Sequence, residues 1–557
     1  MILAANLLQV PFYLGYKRYT MNIVIFSATA DKFIWASSTA LSFILFLTWH
    51  FKGGRDEKSI LLLSSFYGML LLIVIEIASF ARWVYNLFFP SPIFSDESWH
   101  IAFTEAQITN ILYPVLPAIL MLFSYSWIGE FTFKGLLTGK EEKTNNNSLH
   151  YFESLKISAV PIILSVAAAL FIGYYNFAIA GVYNPAFPGV DIPYYIEKLN
   201  CMTENSTSTV DALGYASKDD RFLYLVLQYL CYQFADSPID KFVTYYMPVV
   251  LTVLLMLSTF FLVKIGRSLL HAATAMLVTA FSFQVTVGLY AGFYANWFAL
   301  FFVYAFYGFL MAVLKKRCRN PLLLIFTCAA SVAVLYVHPW TWILLVMLML
   351  AAYIVTSLLL VLFRRADIHD YMWELKFLIF LFVLNLLMFY VKGLISVGSG
   401  ATLVDGYINT KKLEPNLMNA LRLKYFLDRT FNRYVGGFYG YPPIIIFAIL
   451  GVLSFLDYKD RYNRLLLNWM LIASAMIIVE YPWQARFLYL TPFNVYVALG
   501  ILYGAERLSR FSNSKGHKHM AALIFWVFYA LAILFLLNYA VRCVVIKQFG
   551  SKGLTAI

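Results

Sequence analysis

Four short stretches of this chain carry side chains able to do chemistry. FPGVDIPYYIEKLN (Phe187 to Asn200) sets Asp191 between a Pro-Gly turn and two tyrosines, and KDDRFLYLVLQYL (Lys218 to Leu230) opens on Asp219, Asp220 and Arg221. YVHPWTW (Tyr336 to Trp342) holds His338, and EYPWQARFLYLTP (Glu480 to Pro492) holds Arg486. A carboxylate can take the proton of an attacking hydroxyl. A guanidinium presents a planar fork to phosphate oxygens, so Arg486 and Arg221 suit a leaving phosphate. His338 would line such a site. Asp191 with Asp219 or Asp220 could also supply oxygen ligands to a divalent ion such as Mg or Mn, although the chemistry does not require one. Each stretch has a plainer reading: a solvated loop carboxylate, a capped histidine, arginines snorkelling to headgroups. What favours chemistry is that all four fall on one side once the chain is threaded through a bilayer.

The elements that must position them are membrane helices. Of 557 residues, 61% are hydrophobic and only 13% charged, with a mean hydropathy of +0.73, which leaves too little polar surface for a water-soluble domain. Apolar runs of about 18 to 25 residues recur along the chain, enough to cross roughly 30 Å of hydrocarbon as helices and too uniform for barrel strands. The expected spans are 33–50, 60–81, 107–130, 157–180, 242–263, 268–288, 296–314, 321–337, 341–363, 375–395, 441–456, 465–479, 487–505 and 521–541. The expected class is therefore an all-α polytopic membrane protein with about 13 or 14 transmembrane helices.

The formal charge of +13 does not point to nucleic acid. KKRCR (Lys315 to Arg319), FRR (Phe363 to Arg365), DYKDRYNR (Asp457 to Arg464) and RLSRFSNSKGHK (Arg507 to Lys518) fall in short loops between spans and mark the cytoplasmic side. Alternation then puts loops 82–106, 181–241, 396–440 and 480–486 outside. The acidic run from Asp191 through Glu197, Glu204, Asp211, Asp219 and Asp220 agrees with that placement. The five cysteines show no ligand or disulfide spacing. The N-terminal stretch has no basic n-region, so no cleaved signal is expected.

The order of these features, from about Leu155 to Glu506, resembles the GT-C glycosyltransferases. In that class a first span ends in a large external loop with an essential Asp and interfacial helices, and a second long loop follows the seventh span. Counting from Ile157 gives a span, the loop with Asp191, an interfacial helix near Asp220 to Tyr232, and further spans up to loop 396–440. GLYAGFYANWFAL (Gly288 to Leu300) and VHPWTW look like signatures of uncharacterised archaeal members, related to protein O-mannosyltransferases and aminoarabinose transferases. Phe222 stands where relatives often have proline after the basic residue, which weakens a phosphate role for Arg221. A WWDYG-type signature is also missing, so en bloc transfer to asparagine is not expected.

The resemblance implies a multi-pass enzyme of the cell membrane, working at its extracytoplasmic face. It would move a sugar from a polyprenyl-phosphate donor to a protein, lipid or glycan acceptor, with inversion at the anomeric carbon and no nucleic-acid partner. The implied division is 1–154 as accessory helices, 155–510 as the GT-C-like catalytic module with external loops 181–241 and 396–440, and 511–557 as a C-terminal helix and tail. Asp96 and Glu97, in SDESWHIAF, form a rival acidic pair. Asp191 is preferred because its loop is long enough to hold interfacial helices. Two other readings compete: a catalytically inactive scaffold of this class, and a transporter or lipid flippase. The latter would need ionisable residues deep inside spans, with Glu76 the best candidate and most later spans clean.

Overall fold

Long apolar runs without strand-like alternation leave the backbone one way to satisfy its own N–H and C=O groups in hydrocarbon, and the described chain is helical throughout with no strand. The computed structural model describes residues 160–169, 191–204, 208–235, 237–316, 320–362, 368–396, 442–457, 460–474, 486–487, 489–513 and 518–554. The first three expected spans, Glu76, the Asp96/Glu97 pair and loop 396–440 beyond Ser396 lie outside these residues.

After α1 (Val160–Ala169) come three helices too short to cross a membrane: α2 (Ile192–Glu204), α3 (Thr209–Ala216) and α4 (Phe222–Tyr232). The expected interfacial helix is α4, and two more precede it. The bundle follows, with α5 (Ile239–Gly266), α6 (Leu269–Ala280), α7 (Phe283–Ala291), α8 (Tyr294–Lys316), α9 (Pro321–Val337) and α10 (Pro339–Leu362). It is completed by α11 (Ile368–Ser396), α12 (Pro442–Leu453), α13 (Arg461–Ser474), α14 (Phe493–Asn513) and α15 (Lys518–Leu554). Six stretches are long and apolar enough to span: Ile239–Gly266, Leu269–Leu289, Tyr294–Lys315, Pro339–Leu362, Tyr371–Leu394 and His519–Leu537.

The central stretch, Leu269–Leu289, is wholly enclosed by its neighbours. It is broken at Phe281 and Ser282, where the Ser282 hydroxyl caps α7 and Gln284 Nε2 donates to the Thr491 carbonyl at 2.6 Å. Such a break at membrane depth survives because protein, not lipid, surrounds it. Asn494 ties the surrounding helices together, accepting from Tyr304 and donating to Thr259 and Thr279 at 2.8 to 3.2 Å. Helices α12 and α14 cross at Gly451 and Gly500, where a Cβ on either would come within 1.8 Å of the other helix's carbonyl oxygen. In contrast, α11 turns Ile379, Phe380, Val383, Leu386 and Leu387 outward, as a lipid-facing helix must.

Two expected spans differ in extent. The span expected at 487–505 is interrupted: Arg486, Phe487, Tyr489 and Leu490 are helical, the helix breaks at Thr491 and Pro492, whose ring has no N–H to continue it, and α14 begins at Phe493. The span expected at 375–395 lengthens to Ile368–Ser396, taking in the buried Glu374 beside Lys392, which already lay within it and is also buried.

Candidate functional site

Asp191 stands immediately before α2, where its carbonyl accepts the Tyr195 N–H at 3.3 Å and the positive end of the helix favours a carboxylate. The GLYAGFYANWFAL stretch builds the floor beneath it. Gly292 closes α7 at φ +69°, and a Cβ there would press on the backbone nitrogens of Asp191 and Ile192 at 3.2 to 3.3 Å, so glycine allows the α7–α8 turn to approach. Gly288 faces the Trp297 ring, where a Cβ would lie 2.7 Å away. The Ala295 N–H donates to the Tyr195 hydroxyl at 3.1 Å, and Tyr195 stacks on Tyr294 with ring centres 5.4 Å apart.

Arg221, at the start of α4, closes on Asp191 from the other side. Its Nη1 lies 3.4 Å from Asp191 Oδ2 and 2.9 Å from the Tyr195 hydroxyl, with the guanidinium over the Tyr194 and Tyr195 rings. Burial raises the Asp191 pKa above the ordinary carboxylate value, while Arg221 and, more weakly, Arg486 oppose the rise. Both partners keep more than a quarter of their side-chain surface exposed, so the pair opens to the outside.

Asp219 behaves differently. One oxygen accepts the Arg221 backbone N–H at 2.9 Å, and the other takes the Tyr194 hydroxyl and Lys198 Nζ, the latter at 3.2 Å. Burial alone would raise its pKa, but the Tyr194, backbone and Lys198 contacts together hold it below the usual value. With both oxygens engaged, Asp219 does not fit the expected metal-ligand role. Among the described residues no group of three or more His, Cys, Asp or Glu side chains is placed to hold an ion. Asp191 and Asp220 alone fall short of a cage.

His338 sits between α9 and α10 and is buried. Burial drives its pKa well below the ordinary imidazole value, reinforced by the charges of Arg221, Arg486 and Lys392. Arg486 lies over the Trp340 ring, 5.8 Å from its centre. Its charge is felt at both Asp191 and His338. Asp191, Arg221, His338 and Arg486, separated by up to 295 positions in the chain, thus gather at one end of the bundle.

Sequence reasoning missed Lys392. Near the end of α11 it donates to the Leu335 carbonyl at 3.0 Å and reaches the Asp220 carbonyl at 3.4 Å, with its ammonium over the Tyr336 ring. A lone lysine in LNLLMFYVKGLIS was the available signal, since an ionisable residue inside an apolar run marks a functional position. Lys198 and Asn296 were also missed, and nothing in their local sequence marks them.

The opposite end of the bundle holds a second polar cluster. Glu374 receives Arg461 Nε at 2.7 Å, the Arg464 guanidinium and the Ser357 hydroxyl at 3.1 Å. Arg464 also bonds the hydroxyls of Tyr353 and Tyr371 at 3.0 to 3.1 Å. At 1.5 Å per residue, the eighteen residues from Glu374 to Lys392 separate the clusters by about 27 Å. Lys315, which opens one of the basic loop clusters, bonds the Ile265 carbonyl at this second end.

No protein-family model matches the chain, and no curated protein matches it. Among solved structures it is similar to the Archaeoglobus fulgidus oligosaccharyltransferase in its apo form, with 12% identity over 69% of this chain and 56% of that one, at a TM-score of 0.42. It is similar to the same enzyme tethered to an acceptor peptide containing the NVT sequon (12% identity, 69% and 56% coverage, TM-score 0.40). A third similar structure is that enzyme in complex with Zn and sulfate (15% identity, 68% and 53% coverage, TM-score 0.38). The chain spans just over half the length of these structures.

Proposed function

We propose that this protein is a membrane glycosyltransferase that moves a sugar from a polyprenyl-phosphate donor to an acceptor hydroxyl at the extracytoplasmic face. The observation that carries the reading is a raised-pKa carboxylate, Asp191, paired with Arg221 at an accessible end of a membrane bundle, with Arg486 acting on it and Lys392 beside the neighbouring Asp220. The acceptor oxygen attacks the anomeric carbon, and its proton passes to Asp191. The bond from that carbon to the phosphate oxygen breaks, and its electron pair leaves with the phosphate. Arg486 and Lys392 stabilise the departing charge. Arg221 turns one nitrogen, Nη1, to both Asp191 and Tyr195, so it orients the base. The isoprenoid tail would lie against the outward apolar face of α11 or its neighbours, and loop 396–440 would close over the donor. The basic clusters at the far end agree with a cytoplasmic placement of that end.

The test is sugar transfer from a polyprenyl-phosphate donor by purified protein in lipid, wild type against Asp191→Asn. Transfer that depends on Asp191 supports the reading; equal turnover by a folded Asp191→Asn protein removes it. Glu374 and Lys392, ionisable and buried along one span, are what a lipid flippase would carry. Movement of the donor between leaflets without turnover would favour that alternative.

A further inference from the structure

His338 was expected to line the site, and the geometry around it leaves one ring nitrogen no freedom to titrate. Resting on the glycosyl-transfer reading, we infer that His338 is a fixed neutral hydrogen-bond donor, holding the start of α10 through Nδ1 and presenting Nε2–H to a phosphate oxygen of the donor. The backbone N–H of Thr341 points at Nδ1, 3.3 Å away, and a backbone N–H can only donate. Nδ1 must therefore keep its lone pair, and the single proton of the neutral ring sits on Nε2. The Thr341 hydroxyl, 2.9 Å from Nδ1, gives its single proton there, so the Asn296 side-chain amide 3.3 Å from that hydroxyl must turn its N–H toward it, and α8 then braces the same turn.

Becoming an imidazolium would require a second proton on Nδ1, against the Thr341 N–H. It would also add a positive charge beside those of Arg221 on α4, Lys392 on α11 and Arg486 on the turn before α14. The nearest acidic groups serve other partners: Asp191 pairs with Arg221, and Asp220 lies in the field of Lys392. Among the described residues, no partner is recorded for Nε2. A neutral donor in a cationic pocket suits a group that carries negative charge before and after reaction, because it strengthens its hydrogen bond as charge develops on the oxygen and gives up no proton.

Two amide substitutions separate the two nitrogens. In His338→Asn the side-chain oxygen can replace Nδ1 as the cap, with no donor at the Nε2 position. In His338→Gln an amide N–H reaches the Nε2 position and the cap is lost. The inference expects His338→Asn to unfold like wild type while its KM for the donor rises about tenfold. It expects His338→Gln to unfold more readily yet lose less affinity. The reverse ranking of KM would overturn it. A readout independent of activity is the 15N spectrum of histidine-labelled protein, with the His338 signal identified by its loss in His338→Gln. The expected pattern is an unprotonated Nδ1 and a protonated Nε2, unchanged from about pH 8 down to about pH 5, well through the range where an ordinary histidine titrates. A protonated Nδ1 anywhere in that window would sink the inference. If the wild type transfers no sugar at all, the glycosyl-transfer reading fails while the tautomer result still stands or falls by itself.

Discussion

The two polar clusters of this bundle use the same residue types to opposite ends. Around Glu374, two arginines and a serine converge on one carboxylate that is 2% exposed, and Arg464, also 2% exposed, is held in turn by two tyrosine hydroxyls. Around Asp191 the carboxylate has one arginine at 3.4 Å, keeps 30% of its side-chain surface open, and lies in the field of Arg486. The first arrangement encloses its carboxylate and closes α10, α11 and α13 together. The second leaves its carboxylate open to an incoming ligand. An enclosed ion cluster with several bonds to one carboxylate acts as a structural clasp, whereas a carboxylate with one long ion pair at a mouth is the arrangement expected of a site.

The sharpest break in that comparison is Asp191→Asn, expected to lower sugar-transfer kcat by about 10²- to 10⁴-fold while unfolding in detergent–lipid mixtures stays near wild type. Parallel measurement of turnover and thermal unfolding checks it. Glu374→Gln should do the converse. It leaves the buried Arg464 and the partly exposed Arg461 undercompensated and is expected to cost about 3–5 kcal/mol of stability, with kcat of the surviving folded fraction unchanged. A large kcat loss in that folded fraction would mean that the two clusters communicate.

Lys392→Gln probes the cation that the sequence reading overlooked. It is expected to raise the donor KM about tenfold, because an amide keeps bonds to the Leu335 and Asp220 carbonyls while removing the charge. The effect should shrink with a donor that lacks the phosphate. The smallest expected effect is on pH dependence. The base must be ionised to accept a proton, and burial raises its pKa, so kcat/KM should fall on acidification at a pH above the ordinary carboxylate range. Because Arg221 opposes that rise, Arg221→Gln should move the acid limb to higher pH. A limb that stays in place would show that another group controls it.

Much of the fold was legible because hydropathy is a local property. Ten of the expected spans, from 242–263 onward, have helices at their positions, and the segment from Asp191 to Tyr232 is helical at one end of the bundle, as an interfacial reading requires. Boundaries failed where a single residue overruled the average. Pro492 interrupted the span before α14, and Ser282 broke a span that hydropathy reads as continuous. The candidate site was legible as a set of residue types on one side of the bilayer, but not as a geometry. Lys392 was hidden because its neighbours are apolar. Asn296 was hidden because its role exists only where α8 meets the start of α10, 45 positions away. Asp219 looked equivalent to Asp191 in sequence, and only its contacts with Tyr194 and Lys198 set it apart.

The amino-acid order by itself determined that the chain crosses a membrane many times as helices, and it placed the basic loops and the chemistry-bearing stretches at opposite ends of the spans. Both follow from transfer free energies that add along short windows of chain. Which arginine pairs with Asp191, and that Lys392 reaches Asp220, was decided only by tertiary packing. Each of those contacts joins residues 30 or more positions apart, and each depends on how a helix is rotated against its neighbours. No local sum over sequence contains that rotation.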